Sequence, residues 1–218
     1  MNENLKQVKK FNSIKKSCFQ RLVSLGFDEN KLESHYLNSA IVESEEGKLR
    51  DFIWSKYHEL LHENAQDLQK QSQIHWSMAV FSYDYENGKN TLQQKDLSHK
   101  ARLLNYEILS LQQNSLNYRI VIIPGKCSIC QSEKDKNYTI EEMRSNPVIP
   151  HKNCDCSGFG CICMYGLTTL RDENGDLIWN EDSFDYTNKS RKIKTNDKLA
   201  REGAGAIISF LNLFKKKR

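Results

Sequence analysis

Six of the seven cysteines in the chain fall between Cys127 and Cys163, and all the remaining sequence holds only Cys18. Clustered thiols constrain a fold more tightly than any hydrophobic pattern, because they must pair by oxidation, hold a metal or be buried as small apolar groups. The amino-terminal stretch MNENLKQVKKFNSIKK has neither an apolar core of signal-peptide length nor a small-residue cleavage site. It reads as the start of a cytoplasmic chain, where thiols stay reduced and a cluster of them is a metal site.

The spacing is Cys127-x2-Cys130, twenty residues, then His151-x2-Cys154-x-Cys156-x4-Cys161-x-Cys163. A C-x2-C turn presents two sulfurs to one ion, and a second cluster completes a tetrahedron at Zn–S of about 2.3 Å, so zinc suits the pattern. Seven candidate ligands exceed the four that one ion takes, which leaves either one ion with spare groups or two ions sharing bridging thiolates. For one ion, Cys127 and Cys130 form the first pair, and the second comes from His151, Cys154, Cys156, Cys161 and Cys163. Cys154 with Cys161 or Cys163 leads, because the intervening Ser157-Gly-Phe-Gly160 can loop. His151 is alternatively a hydrogen-bonding neighbour of the ligands or a surface residue. A reduced, metal-free thiol group is the alternative to a site, and the familiar ferredoxin spacings of iron–sulfur clusters are not matched.

The surrounding patterns set the fold class. Leu5, Val8, Phe11, Ile14, Cys18, Leu22 and Leu25 recur at helical spacing ahead of Gly26, with Cys18 on the apolar stripe as a buried small residue. A short helix follows Asp28 to about residue 40. Leu49, Phe52, Ile53, Tyr57, Leu60, Leu61 and Leu68 predict a long helix over 46–71, and residues 97–111 predict another. Between them, WSMAVFSYDYENGKNTLQQ reads as a hairpin turning at Asn87-Gly88. Tyr118–Ile123 is β-branched and ends at Pro124-Gly125, a strand and turn. Thr139-Ile-Glu-Glu142 is a capping box for a short helix that ends near Ser145, ahead of Pro147, and Asn174-Gly175 marks a second hairpin. The expected architecture is α+β: a helical region over 1–115, a small zinc-stabilised β-rich module over 116–188, and a basic tail over 189–218.

The order strand, C-x2-C, short helix, Pro150-His-Lys-Asn-Cys-Asp-Cys156 resembles the C-terminal zinc-binding segment of phage Mu F-like minor head (head morphogenesis) proteins. It covers about residues 119–165, with Lys152 where that family usually has proline, Asp155 where it has arginine, and an additional Gly160-Cys-Ile-Cys163. The resemblance implies a structural metal and an interaction or assembly role, in a phage, a prophage or a free-standing bacterial relative.

Two enzymatic readings compete. His58-Glu-Leu-Leu-His62 matches the H-E-x-x-H of zinc-dependent hydrolases. At about 100° per residue with Leu49 at 0°, however, the apolar residues span roughly 300° through 120°, while His58 and His62 fall near 180° and 220°. That is the face away from the core, and a third ligand would have to come from His75 or Glu86. An HNH-like nuclease would need further histidines downstream, and none follows His151.

The tail carries the charge. From Lys189 onward there are ten basic and two acidic residues, leaving residues 1–188 at −4 within a net +4. Such a tail is compatible with nucleic acid, an anionic membrane surface or a protein partner, and its apolar run with docking on the protein's own core. The apolar run Ala204–Phe214 is about half the roughly 20 residues of a membrane span, so no transmembrane segment is expected.

Overall fold

Helix α1, Glu3–Ser24, buries the C-terminal half of its stripe: Cys18, Phe19 and Leu22 are inside, with Leu25 just beyond, while Leu5 and Val8 stay exposed. It ends where Gly26 takes φ +119°, a left-handed conformation that suits glycine, and Phe27 N–H closes on Leu22 C=O at 3.1 Å. In this computed structural model the described residues are 3–40, 44–86, 88, 91–126, 128–151, 153–154 and 161–180. They belong to one compact unit, Met1–Ser183.

Helices α2 (Glu29–Asn38), α3 (Glu45–Glu63), α4 (Leu68–Tyr85) and α5 (Leu92–Gln112) follow, each started by a side-chain cap: Asp28, Ser44, Asp67 and Thr91. The chain then forms β1 (Tyr118–Ile123), the one-turn α6 (Ser128–Gln131), β2 (Asn137–Tyr138), α7 (Ile140–Ser145) and β3 (Met164–Thr169). The strands make an antiparallel sheet in the order β2-β1-β3, with Ile120 opposite both Tyr138 and Leu167. The protein is α+β. Thr139 and Glu142 form the reciprocal capping box of α7. At the second predicted hairpin, Arg171 bridges Leu177 around Gly175, whose φ is +86°, and the Asp172 carboxylate accepts from the Asn174 and Asp176 amides.

Two expectations are corrected. The helix predicted over 46–71 stops at Glu63: Asn64 Nδ2 caps the Leu60 carbonyl at 2.8 Å, and Asp67 restarts the next helix by accepting from Lys70 N–H. The segment read as a hairpin around Asn87-Gly88 is helical up to Tyr85 and again from Leu92; Asn87 itself lies outside the described residues. Within that segment Met78 and Phe81 are buried at helical spacing with Ile74 of the preceding turn, and tertiary burial outweighs the local β preference of its aromatic residues. The tail over 189–218 lies outside the described residues.

Two buried clusters organise the fold. One joins α1 to α4 through Leu22, Ile53, Tyr57, Ile74 and Phe81, and takes Leu97 from α5. The other joins Leu103 of α5 to Ile120, Ile122, Met143, Ile149, Tyr165 and the thiols of Cys130, Cys161 and Cys163. Within the first, the Tyr57 side chain is fully buried and its hydroxyl has no hydrogen-bond partner. Tyr57→Phe is therefore expected to be neutral or to stabilise by about 1–2 kcal/mol, because it removes a buried unsatisfied group while keeping the ring. Ile53→Ala should destabilise by about 2–5 kcal/mol. Urea unfolding of the three proteins checks both signs.

Candidate metal centre

The thiols are positioned by two local devices. Between Cys161 and Tyr165 the chain alternates: Cys161, Cys163 and Tyr165 are buried, while Ile162 and Met164 are exposed. This is the period-two pattern of extended backbone, and it sends both thiols to the inner side just ahead of β3. From the other direction, the turn after β1 leads into α6, which carries Cys130 inward. That turn is fixed by Gln131 Nε2, which donates to the Gly125 carbonyl at 2.7 Å, and the Gly125 N–H in turn donates to Cys163 Sγ at 3.1 Å.

The sulfurs of Cys130, Cys161 and Cys163 lie within 4.8 Å of one another, all buried. Cys130 Sγ is 3.8 Å from Cys161 Sγ and 3.9 Å from Cys154 Sγ. A disulfide would require about 2.05 Å. The edge of a tetrahedron with metal–sulfur bonds of about 2.3 Å is ~3.8 Å, so the observed spacing fits thiolates around one ion. Burial pushes both Cys161 and Cys163 thiols up, but their net shifts diverge. At Cys161, hydrogen bonds from the Cys163 and His151 backbone and from the Cys163 and Cys130 side chains bring the thiol below its ordinary value. At Cys163, burial prevails and the neighbouring Cys161 adds to it. The hydrogen bonds that converge on Cys161 favour its thiolate, the form that binds metal.

Of the other predicted ligands, Cys154 is half-buried beside Cys130. His151 is half-buried, stands outside the three-sulfur group, and has no hydrogen-bond partner at Nε2. Cys127 and Cys156 lie outside the described residues, as do Lys152 and Asp155. The Gly125 amide is a part of the site that the cysteine spacing does not announce; the Pro124-Gly125 turn ahead of Cys127 is its signal in the sequence. Cys18 is fully buried in the helical core, and burial pushes its thiol up to about 12, which makes it inert.

His58, Glu59 and His62 are exposed, and Glu59 holds Lys56 at 2.6 Å. Among the described residues, the cysteine cluster is the only group that brings three metal-ligating side chains together. Neither His75 nor Glu86 completes a site with the histidine pair. His75 instead lies half-buried, with its pKa lowered to about 4 by burial and by Lys100. His99 on α5 is also lowered to about 4, by burial and by Arg102.

No family model, curated protein or solved structure matches this chain. Among the described residues, no helix is long and apolar enough to cross a membrane.

Two outcomes follow from this geometry. His58→Ala combined with His62→Ala should leave stability within about 0.5 kcal/mol of the parent, as expected for exposed positions, in a denaturant titration. Separately, the folded chain keeps His75 and His99 neutral down to about pH 4, whereas the unfolded chain protonates them near the ordinary 6.5. The unfolded state therefore binds more protons in that window, and stability falls as pH drops from about 6.5 to about 4. Urea midpoints across this range should decline less steeply for His99→Gln than for the parent.

Proposed function

We propose that the chain is a zinc-binding protein whose ion is structural and whose role is interaction or assembly, similar to a phage head-morphogenesis protein. The carrying observation is the convergence of Cys130, Cys161 and Cys163 from two separate segments into one buried group at tetrahedral spacing. A fourth thiolate is available from Cys154, or from Cys127 of the C-x2-C pair. Four thiolates close the coordination of zinc and leave no position for water or substrate, which is the chemistry of a structural site rather than a hydrolase. The ion would contribute its binding free energy to folding of a module whose own core is small.

Support for a protein partner comes from the outer side of the same segment. Ile123 and Met164 are cross-strand neighbours, 49% and 39% exposed, and Ile162 is 50% exposed two residues away on the same face. Apolar side chains grouped on one face mark a contact surface better than any one of them alone. The resemblance of His151-Lys-Asn-Cys-Asp-Cys156 to the minor head proteins supports the same role. The exposed His58 and His62 give the hydrolase reading no comparable support.

Elemental analysis of protein purified without a metal-binding tag is expected to give one zinc per chain. Cys130→Ser should lose the metal and lower the unfolding temperature, and the His58→Ala, His62→Ala double variant should retain it. Metal lost from the histidine variant with the fold intact would overturn the structural reading in favour of the hydrolase. Iron in place of zinc would overturn the assignment of the ion.

A further inference from the structure

A cavity open to solvent on one side, separate from the thiol cluster, lies where α4 and α5 meet α7 and the Ile149 segment, with a volume of about 150 Å³. Its floor is apolar, formed by Leu103, Met143, Ile149 and Tyr165, all buried. A cavity of about this size with apolar walls accepts a molecule as large as benzene. Its polar groups are unlike those of an ordinary packing defect. His99 is only 8% exposed and lines the cavity, yet its Nε2 has no hydrogen-bond partner. His75 lines it from the facing helix, and its Nδ1 is also buried without a partner. Leaving such groups unsatisfied is unfavourable, so two orphaned imidazoles at one cavity point to a ligand that meets them.

The charges at the rim indicate which ligand. Lys100 and Arg144 line the cavity, Lys100 paired with Asp96 and Arg144 with Glu107, so the rim presents two cationic side chains whose charges are balanced by two carboxylates. Lys100 holds Asp96 at 2.9 Å across one turn of α5, with the two side chains 52% and 38% exposed. An exposed pair of this kind contributes little, so the ammonium can turn to an incoming anion at small cost. Arg144 grips both oxygens of Glu107 through Nη1 alone, at 2.7 and 2.8 Å, which leaves Nε and Nη2 as further donors.

We propose that this cavity binds a small monocarboxylate with an apolar body about the size of a benzene ring. The ring or branched chain rests on Met143, Ile149 and Tyr165, the carboxylate meets Lys100 and Arg144, and His75 and His99 supply hydrogen bonds between the two ends. The site does not depend on the identity of the metal or on the assembly role. It joins the helical region to the cysteine module, since α4 and α5 form one wall and α7 and Ile149 the other.

Benzoate is the probe, with benzyl alcohol as its uncharged counterpart, added to the full-length protein carrying labelled histidine. Benzoate should shift the His75 and His99 ring resonances saturably and leave those of exposed His58 and His62 unmoved. Lys100→Gln, at an exposed position that does not hold the fold, should weaken benzoate by about tenfold, as expected for one charge-assisted contact, and leave benzyl alcohol unchanged. An absence of saturable shifts would assign the two imidazoles to ordered water and overturn the proposal. Equal affinity for benzoate and benzyl alcohol, or no effect of Lys100→Gln, would overturn the anionic part of the assignment.

Discussion

The cysteine module depends on one side chain, Tyr165. A sheet of two six-residue strands and one two-residue strand buries too little to stand by itself, so its inner face must be covered by something else. Tyr165 supplies the link. Its hydroxyl donates to the Ile149 carbonyl at 3.2 Å, which ties β3 to the segment leading to His151. Its own carbonyl accepts from Tyr106 Oη at 2.9 Å and Arg102 Nη1 at 3.3 Å, both on α5. Its ring meets His99 edge-on at 5.2 Å. A fully buried tyrosine whose hydroxyl is bonded carries both the area of a large ring and the direction of a polar contact. Here it sets where the sheet lies on the helix and, two residues earlier in the chain, where Cys163 points.

The thiols are part of this core and not an attachment to it. Cys130, Cys161 and Cys163 pack in the same cluster as Ile120, Ile122 and Met143. Neutral thiols behave there as small apolar groups, whereas thiolates without a cation would be strongly unfavourable at such burial. The downward shift at Cys161 and the upward shift at Cys163 express that conflict within one pair of neighbours. A divalent ion bound there would resolve it by supplying the charge that several buried thiolates lack. The amide of Gly125, aimed at Cys163 Sγ, lowers the remaining electrostatic cost.

Much of this was readable from residue order alone, for identifiable reasons. The strand at Tyr118–Ile123 and the capping box at Thr139 are local signals, and local chemistry decides both. The outward orientation of His58 and His62 followed from angular position on a helix whose apolar face is unambiguous. The failures have a common origin. Residues 76–85 are rich in aromatic types, and only the neighbouring helices decide that Met78 and Phe81 share a buried face. The break at Asn64 was signalled by Asn64 and Asp67, two residues that bond readily to nearby backbone, but a continuous apolar repeat through Leu68 masked it. The cavity between α4 and α7 was beyond reach, because His75, His99 and Arg144 are brought together only by the docking of the sheet.

Helix α5 serves two cores, giving Leu97 to the helical cluster and Leu103 to the cysteine cluster. The separation is six residues, about 9 Å along the axis, with no loop between them to absorb an error. Inserting or deleting one residue between Leu97 and Leu103 would turn everything beyond it by about 100°, carrying Leu103, Arg102 and Tyr106 away from β3. The interval between these leucines is therefore as strict a spacing rule as any interval between the cysteines. A search for distant members of this architecture would do well to treat it as part of the signature.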